Sequence, residues 1–269
     1  MSQLHEECGV FGLYRTAPSP DTAAFAYQAL YALQHRGQES AGIALNDDGV
    51  ITCHKDVGLV SEVFSPEVLS GMGSGSMAVG HVRYATTGLK SRINAQPMLI
   101  NHMKGSMALA HNGNLTNAAE LREKLELSGA IFHTTSDTEV IAYTITAQRL
   151  TAPSIEEAVD AAMDIIQGAY SLVLMSSTKL IAARDPNGFR PLCIGTMEDG
   201  GYVFASESCA LDAIGAHFLR DVEPGEIVIA DGNGLRSIRT HCNGRKSSLC
   251  VFEFIYFARP DSVIDGASV

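Results

Sequence analysis

Cys8 is the residue whose type and position point most directly to chemistry. It stands in Glu6-Glu7-Cys8-Gly9-Val10-Phe11-Gly12, close to the chain start and just before a short apolar strand. Removal of Met1 to Glu7 would leave Cys8 with a free α-amine beside its own sulfur. One residue would then hold both nucleophile and base, one of the ways a weak nucleophile is activated. An α-amine titrates at about 7.7–8.0, so a useful fraction is unprotonated near neutral pH. The competing reading is a strand cysteine that only packs, since unpaired cysteines are among the most buried residues.

Four further segments carry polar residues where a plain core needs none. Leu33-Gln34-His35-Arg36-Gly37-Gln38-Glu39 is dense in hydrogen-bonding side chains. Gly80-His81-Val82-Arg83-Tyr84 ends in a planar cationic fork suited to a carboxylate. In Ala110-His111-Asn112-Gly113-Asn114-Leu115, an Asn amide beside an unobstructed Gly N–H could cradle an oxyanion. In Ser136-Asp137-Thr138-Glu139, Asp137 either complements a helix dipole or holds an ammonium. For each segment a bland loop, turn or surface charge is the competing reading. Together they match an amino-acid amide: α-carboxylate to Arg83, α-ammonium to Asp137, side-chain carbonyl to Cys8 and the Asn112/Gly113 donors.

These ordered motifs resemble the class II glutamine amidotransferases, and the resemblance runs from Glu6 onward. It implies an N-terminal-nucleophile hydrolase fold, an α+β four-layer αββα sandwich of antiparallel sheets. It implies that Cys8 attacks the glutamine side-chain amide, ammonia leaves, and water releases glutamate from a γ-glutamyl thioester. Carried over residue by residue, Cys8 is the nucleophile, Asn112 and Gly113 the oxyanion hole, and Arg83, Thr86 and Asp137 glutamine contacts. Arg36 lies in a loop the family uses near bound glutamine.

Asp185-Pro186-Asn187-Gly188-Phe189-Arg190-Pro191-Leu192, Ala205-Ser206-Glu207-Ser208-Cys209-Ala210 and Tyr256-Phe257-Ala258-Arg259-Pro260-Asp261-Ser262 are typical of the branch that continues into a phosphoribosyltransferase domain. The implied organisation is a propeptide over 1–7, a glutaminase domain over 8–238, and over 239–269 a linker and the start of the next domain. That next domain, its Mg2+ and a homo-oligomeric state belong to the full-length enzyme; the glutaminase half needs no cofactor. A leader of this kind accompanies a [4Fe–4S] cluster in part of the family, and Cys250 matches one ligand position. Such a cluster usually takes four thiolates. Two rival readings remain: another class II amidotransferase, such as one making glucosamine 6-phosphate, or a catalytically silent module of the same fold in which Glu7–Cys8 stays uncut.

The elements that must position these residues follow from periodicity. Cys8 to Tyr14 reads as a strand. Asp21 to Gln34 reads as a helix, with Ala24, Tyr27, Leu30, Tyr31 and Leu33 on one stripe. Asn46-Asp47-Asp48-Gly49 marks a hairpin. Met77 to Arg83 and Ser106 to Ala110 are strands. Helices follow from Thr116 or Asn117, from Ser136 with a Ser-x-x-Glu capping box, and from Ser154. Strands then cover Ser171–Ser176, Leu180–Arg184, Leu192–Gly195, Tyr202–Ser206 and Glu226–Ala230. Hairpin-length connections suggest antiparallel sheets with helices outside.

Composition bounds the rest. The 269 residues are 46% hydrophobic and 18% charged, with a formal net charge of −11. That balance argues against a nucleic-acid partner, which would need clustered Lys and Arg. No apolar run approaches the roughly 20 residues a membrane helix needs. Cysteines at 8, 53, 193, 209, 242 and 250 form no CxxC pair. With no secretory signal in the polar N-terminus, reduced thiols in the cytoplasm are expected.

Overall fold

Most strands carry apolar residues on both faces, the pattern of sheets buried on both sides. The computed structural model describes residues 8–84, 91–244 and 246–269. Among these described residues the chain begins with β1 (Gly9–Ser19), α1 (Thr22–Ala32), β2 (Ser40–Asp47) and β3 (Val50–Val57). Short helices α2 (Val60–Val63) and α3 (Pro66–Gly71) lead into β4 (Gly75–Arg83). Next come β5 (Met98–His102), β6 (Gly105–Leu115), and helices α4 (Ala118–Leu127), α5 (Asp137–Arg149) and α6 (Ile155–Met163). Strands return as β7 (Gly168–Met175), β8 (Leu180–Arg184), β9 (Cys193–Thr196) and β10 (Tyr202–Ala205). After α7 (Cys209–Asp212) come β11 (His217–Asp221), β12 (Ile227–Asp231) and β13 (Gly234–Ile238).

Two large antiparallel sheets result, beside a two-stranded ribbon of Val263–Ile264 and Ala267–Ser268. One has the order β11-β9-β10-β1-β4-β2-β3 and the other β13-β12-β8-β7-β6-β5. Their side chains sort into three apolar clusters by the period of two along each strand. Phe11, Leu13, Ile43, Leu45, Ala78 and Val82 pack with Ala26, Ala29 and Leu30 of α1. Leu109, Leu172, Leu174 and Ile227 pack with Val140 and Ile141 of α5 and Ala158 and Val159 of α6. Val10, Ala44, Val79, Ala108, Ala110, Val173, Ala182 and Val228 fill the layer between the sheets. This is the αββα sandwich that the resemblance implied. Leu30, Ile43 and Leu109 are fully buried, each worth roughly 1.5–3 kcal/mol over exposure. A one-residue slip would turn such side chains to the wrong face, so the core specifies the register.

Several details differ from the sequence expectation. Tyr31 of α1 is exposed; the buried stripe runs through Ala26, Ala29, Leu30 and Leu33, the two alanines letting the helix lie close to its sheet. Ser136 caps α5 by accepting from the Thr138 N–H, but Glu139 does not complete the capping box. Its carboxylate instead takes the N–H groups of His133 and Thr134. Strands β5, β11 and β13 were not anticipated, because short or half-exposed strands lack a strong alternation.

The C-terminal stretch, expected to be a linker and the start of the next domain, is docked on the sandwich. Ser248 N–H donates to Asn187 O, and Ser262 Oγ donates to Glu207 at 2.7 Å. Asp265 pairs with both arms of the buried Arg184 fork, at 2.7 and 3.0 Å. Among the described residues no helix is long and apolar enough to cross a membrane.

Candidate active site

One end of the sandwich gathers the ends of several elements. In the first sheet β4 lies between β1 and β2, with Gly9 opposite Val82 and Ser40 opposite Arg83. Cys8 therefore enters beside the last residue of β4. Its Sγ is 3.6 Å from Tyr84 O. Across the middle layer, β6 ends near the start of α5. A cleft there is lined by Cys8, Arg83, Tyr84, Gln96, His111, Gly113, Asn114, Ser136 and Asp137. Four predicted residues, Cys8, Arg83, Gly113 and Asp137, thus converge from separate elements.

Asn112 does not line the cleft but backs it. It alternates with Ala108 and Ala110, which face the middle layer as Val10 does, so its side chain lies on the same inner layer that Cys8 enters. The side chain is fully buried, and neither its Nδ2 nor its Oδ1 has a hydrogen-bond partner among the described residues. A buried amide left so is costly, about 1–3 kcal/mol, and fits a donor kept for a ligand. Gly113 has φ +138°, and a Cβ there would meet Ala169 O at 2.1 Å. A side chain at this position would collide with the backbone of β7, so the residue beside Asn112 is held to glycine.

The charged groups are held in place by neighbours. Arg83 is 5% exposed, and its Nη1 donates to Glu39 Oε1 at 2.8 Å, which fixes one arm of the fork. Asp137 Oδ2 accepts from the Leu115 N–H at 2.9 Å, and Oδ1 lies 3.6 Å from His111 Nδ1. Burial pushes the Asp137 carboxyl up, but His111 and the backbone N–H groups of Leu115 and Thr138 outweigh it and hold it below the usual carboxylate range. It is therefore an anion at neutral pH. Burial drives His81 down to about 3, so it is neutral. Its Nε2 donates to His111 O at 3.0 Å, bridging the two sheets.

Arg36, expected in a loop near bound glutamine, is 1% exposed and does not line the cleft, but it touches Cys8 from behind. Its Nη1 donates to Glu207 at 2.6 Å and to Glu253 at 2.9 Å, its Nη2 to Glu253 at 3.0 Å, and its Nε to Cys8 O at 3.0 Å. Burial works against its charge, and Glu253 and Glu207 overcome that and keep it protonated. Arg36 braces the backbone of the nucleophile from behind. Gly37 makes this possible, because a Cβ there would meet the Arg83 backbone at 2.6 Å.

Thr86 and the expected propeptide, residues 1–7, lie outside the described residues. Cys250 is half-buried, and its N–H donates to Phe189 O. Among the described residues no three His, Cys, Asp or Glu side chains converge as a metal site. The four thiolates of a cluster are therefore not assembled by them.

Residues that sequence reasoning passed over complete the site. Glu39 positions Arg83. Gln96 Oε1 accepts from the His111 N–H at 2.7 Å, steadying β6 next to Asn112. Glu207 and Glu253 hold Arg36. Glu253 had a usable signal: a lone carboxylate inside the apolar run Val251-Phe252-Glu253-Phe254, where a charge is kept only if paired.

Comparison with known proteins extends the picture. Residues 81–213 match the glutamine amidotransferase domain family. The amidophosphoribosyltransferase of Synechococcus elongatus is 49% identical over 267 residues, covering 98% of this chain and 53% of that protein. That of Bacillus subtilis is 48% identical, covering 99% and 54%. A solved structure described as the allosteric regulatory enzyme of purine biosynthesis aligns with TM-score 0.90 at 46% identity, over 97% of this chain and 55% of the other. Glutamine phosphoribosylpyrophosphate amidotransferase from B. subtilis, complexed with ADP and GMP, aligns with TM-score 0.88 at 46% identity and the same coverage. A class-II glutamine amidotransferase domain protein from Silicibacter pomeroyi shares the fold, with TM-score 0.56 at 13% identity, over 86% of this chain and 98% of that one. The chain spans about half the length of the amidophosphoribosyltransferases it matches.

Proposed function

The chain belongs to the amidophosphoribosyltransferase family as its glutamine amidotransferase domain, and on that premise we propose that it releases ammonia from glutamine through a thioester on Cys8. The observation that carries this reading is the convergence of Cys8, Arg83, Gly113 and Asp137 on one cleft.

Cleavage of Glu7–Cys8 frees the α-amine. The amine takes the thiol proton, and Sγ attacks the carbonyl carbon of the glutamine side-chain amide. In this reading the oxygen that gains charge is received by Asn112 Nδ2 and the Gly113 N–H, an amide-and-backbone donor pair of the kind that stabilises an oxyanion. The amine returns its proton to the nitrogen, the C–N bond breaks, and ammonia leaves a γ-glutamyl thioester. Water, activated by the same amine, adds to the thioester and restores the thiol as glutamate departs. The Arg83 fork receives the α-carboxylate and Asp137 the α-ammonium. Two opposite charges held apart by the protein select a free amino acid over a peptide or simple amide.

In the longer protein the ammonia meets phosphoribosyl pyrophosphate and gives 5-phosphoribosylamine, the opening step of purine synthesis. In this proposal that half holds the magnesium, the protein works in the cytoplasm as a homo-oligomer, and Cys250 joins a cluster only where three other thiolates reach it. Intact mass spectrometry and a glutamate-release assay test the reading. The expected mass lacks residues 1–7, and Cys8→Ala abolishes glutamate formation. A leader-free protein that releases no glutamate, or release unchanged by Cys8→Ala, overturns it.

A further inference from the structure

Glu253 lies far from the cleft in sequence and belongs to no part of the mechanism above. From its geometry we infer that Glu253 is a positioning residue for the nucleophile, acting through Arg36; this rests on the glutaminase reading. Glu253 is fully buried. Its carboxylate takes both terminal nitrogens of the Arg36 fork, at 2.9 and 3.0 Å, across 217 residues of sequence. A bidentate pair fixes the plane of a guanidinium as well as its place. Only one direction then remains for Nε, and it points at Cys8 O, 3.0 Å away.

That carbonyl matters because of where Cys8 sits. The strand ladder begins at Gly9, one residue later. Once the leader is gone, Cys8 has no preceding peptide bond to hold it. Its amine and thiol must nevertheless keep one mutual geometry to act as base and nucleophile. The charge-assisted bond from Arg36 holds the residue from its carbonyl side. Glu207 contributes a single contact to the same fork, at 2.6 Å, and by itself does not set the plane.

Glu253 belongs to the docked C-terminal stretch itself. Its N–H donates to Cys250 O, and Arg190 Nη1 lies 3.5 Å from Oε1. Arg259 N–H and Ser262 Oγ from the same stretch reach Glu207 at 3.0 and 2.7 Å. A shift of this stretch therefore turns the Arg36 fork and releases Cys8. The C-terminal stretch is thereby wired to the nucleophile.

The test exploits a property of the sequence: Cys8-Gly9 is its one Cys–Gly step. Labelling cysteine with 13C at the carbonyl and glycine with 15N isolates the Cys8 carbonyl signal in the leader-free chain. In Glu253→Gln, in Glu253→Asp and in Arg36→Lys that signal moves upfield, as a charge-assisted bond is lost. Two Glu253 variants are made so that one that fails to fold is replaced by the other. For glutamine hydrolysis, kcat falls about tenfold to a hundredfold, the range of one hydrogen bond to a charged group, while KM stays within about twofold. The Glu253→Gln/Arg36→Lys double variant loses no more kcat than Arg36→Lys alone, because both act through one bond. An unmoved carbonyl signal, or losses that multiply, overturns the inference. If wild type shows the signal but releases no glutamate, the glutaminase reading fails, while the signal still decides the link between Glu253 and Cys8.

Discussion

On the cleft side of Cys8, His111 Nε2 and both polar side-chain atoms of Asn112 are buried with no hydrogen-bond partner among the described residues. On the opposite side, all three nitrogens of Arg36 are bonded, to Glu207, Glu253 and Cys8 O. Both regions are buried and rich in polar groups, yet they follow opposite rules. An unsatisfied buried group costs about 1–3 kcal/mol, so several on one side mark where a ligand completes the structure. A satisfied network is scaffold, and breaking it costs stability or geometry instead. Polarity and burial alone therefore do not separate function from support; between Asn112 and Arg36 the state of the hydrogen bonds does.

The comparison makes ordered predictions. The largest effect is total: Cys8→Ala leaves no measurable glutamate release while the thermal midpoint stays near wild type. Next is Glu207→Ala, which leaves Arg36 and His35 short of a partner. Removing one member of a buried ion pair costs about 3–5 kcal/mol, read as a loss in urea unfolding. Third, Asn112→Ala lowers kcat by about 10²–10³ without such a stability loss, since no protein hydrogen bond breaks. A stability loss like that of Glu207→Ala would place Asn112 in the scaffold and erase the distinction.

A fourth effect is set by pH. Burial raises the Glu207 carboxyl, but Arg36 and His35 dominate and hold it far below its ordinary value. Because the folded-state value is depressed, its contribution is fully present above the unfolded value of about 4.3. It is lost as pH falls below that toward the folded value. Glu207→Gln removes this part of the acid dependence, seen by comparing unfolding midpoints at pH 3 to 5. The smallest effect lies outside both regions. The Arg122–Glu126 pair is partly exposed on α4, and Glu126→Ala should cost only about 0.3–0.5 kcal/mol.

Much of the cleft side was legible in the residues themselves. Cys8, Arg83, Asn112, Gly113 and Asp137 each have a chemistry that a core position does not need, and each sits at the end of a periodic run. The four-layer fold followed from resemblance and from antiparallel patterning. The role of Arg36 was not legible, because its type, a cationic fork near other site motifs, suits substrate and scaffold equally. Glu39 stood in the open within its motif, but nothing local says that it meets Arg83 at the end of the neighbouring strand. The docked C-terminal stretch was missed because polar residues at 239–246 look like a linker, and the partners of Glu253 and Asp265 lie far earlier in the chain.

By itself the sequence determined local matters: which runs form strands or helices, where they stop, and which side chains could attack, donate or bind charge. Those depend on neighbours a few residues away, through side-chain period, capping and turn chemistry. Only the tertiary structure decided pairing. Arg36 meets Glu207 across 171 residues and Glu253 across 217, and Ser40 meets Arg83 only because β2 and β4 are adjacent. A charge in a sequence has no partner until the fold closes the distance, and in a buried site the partner decides whether the charge binds a substrate or braces the residue that does.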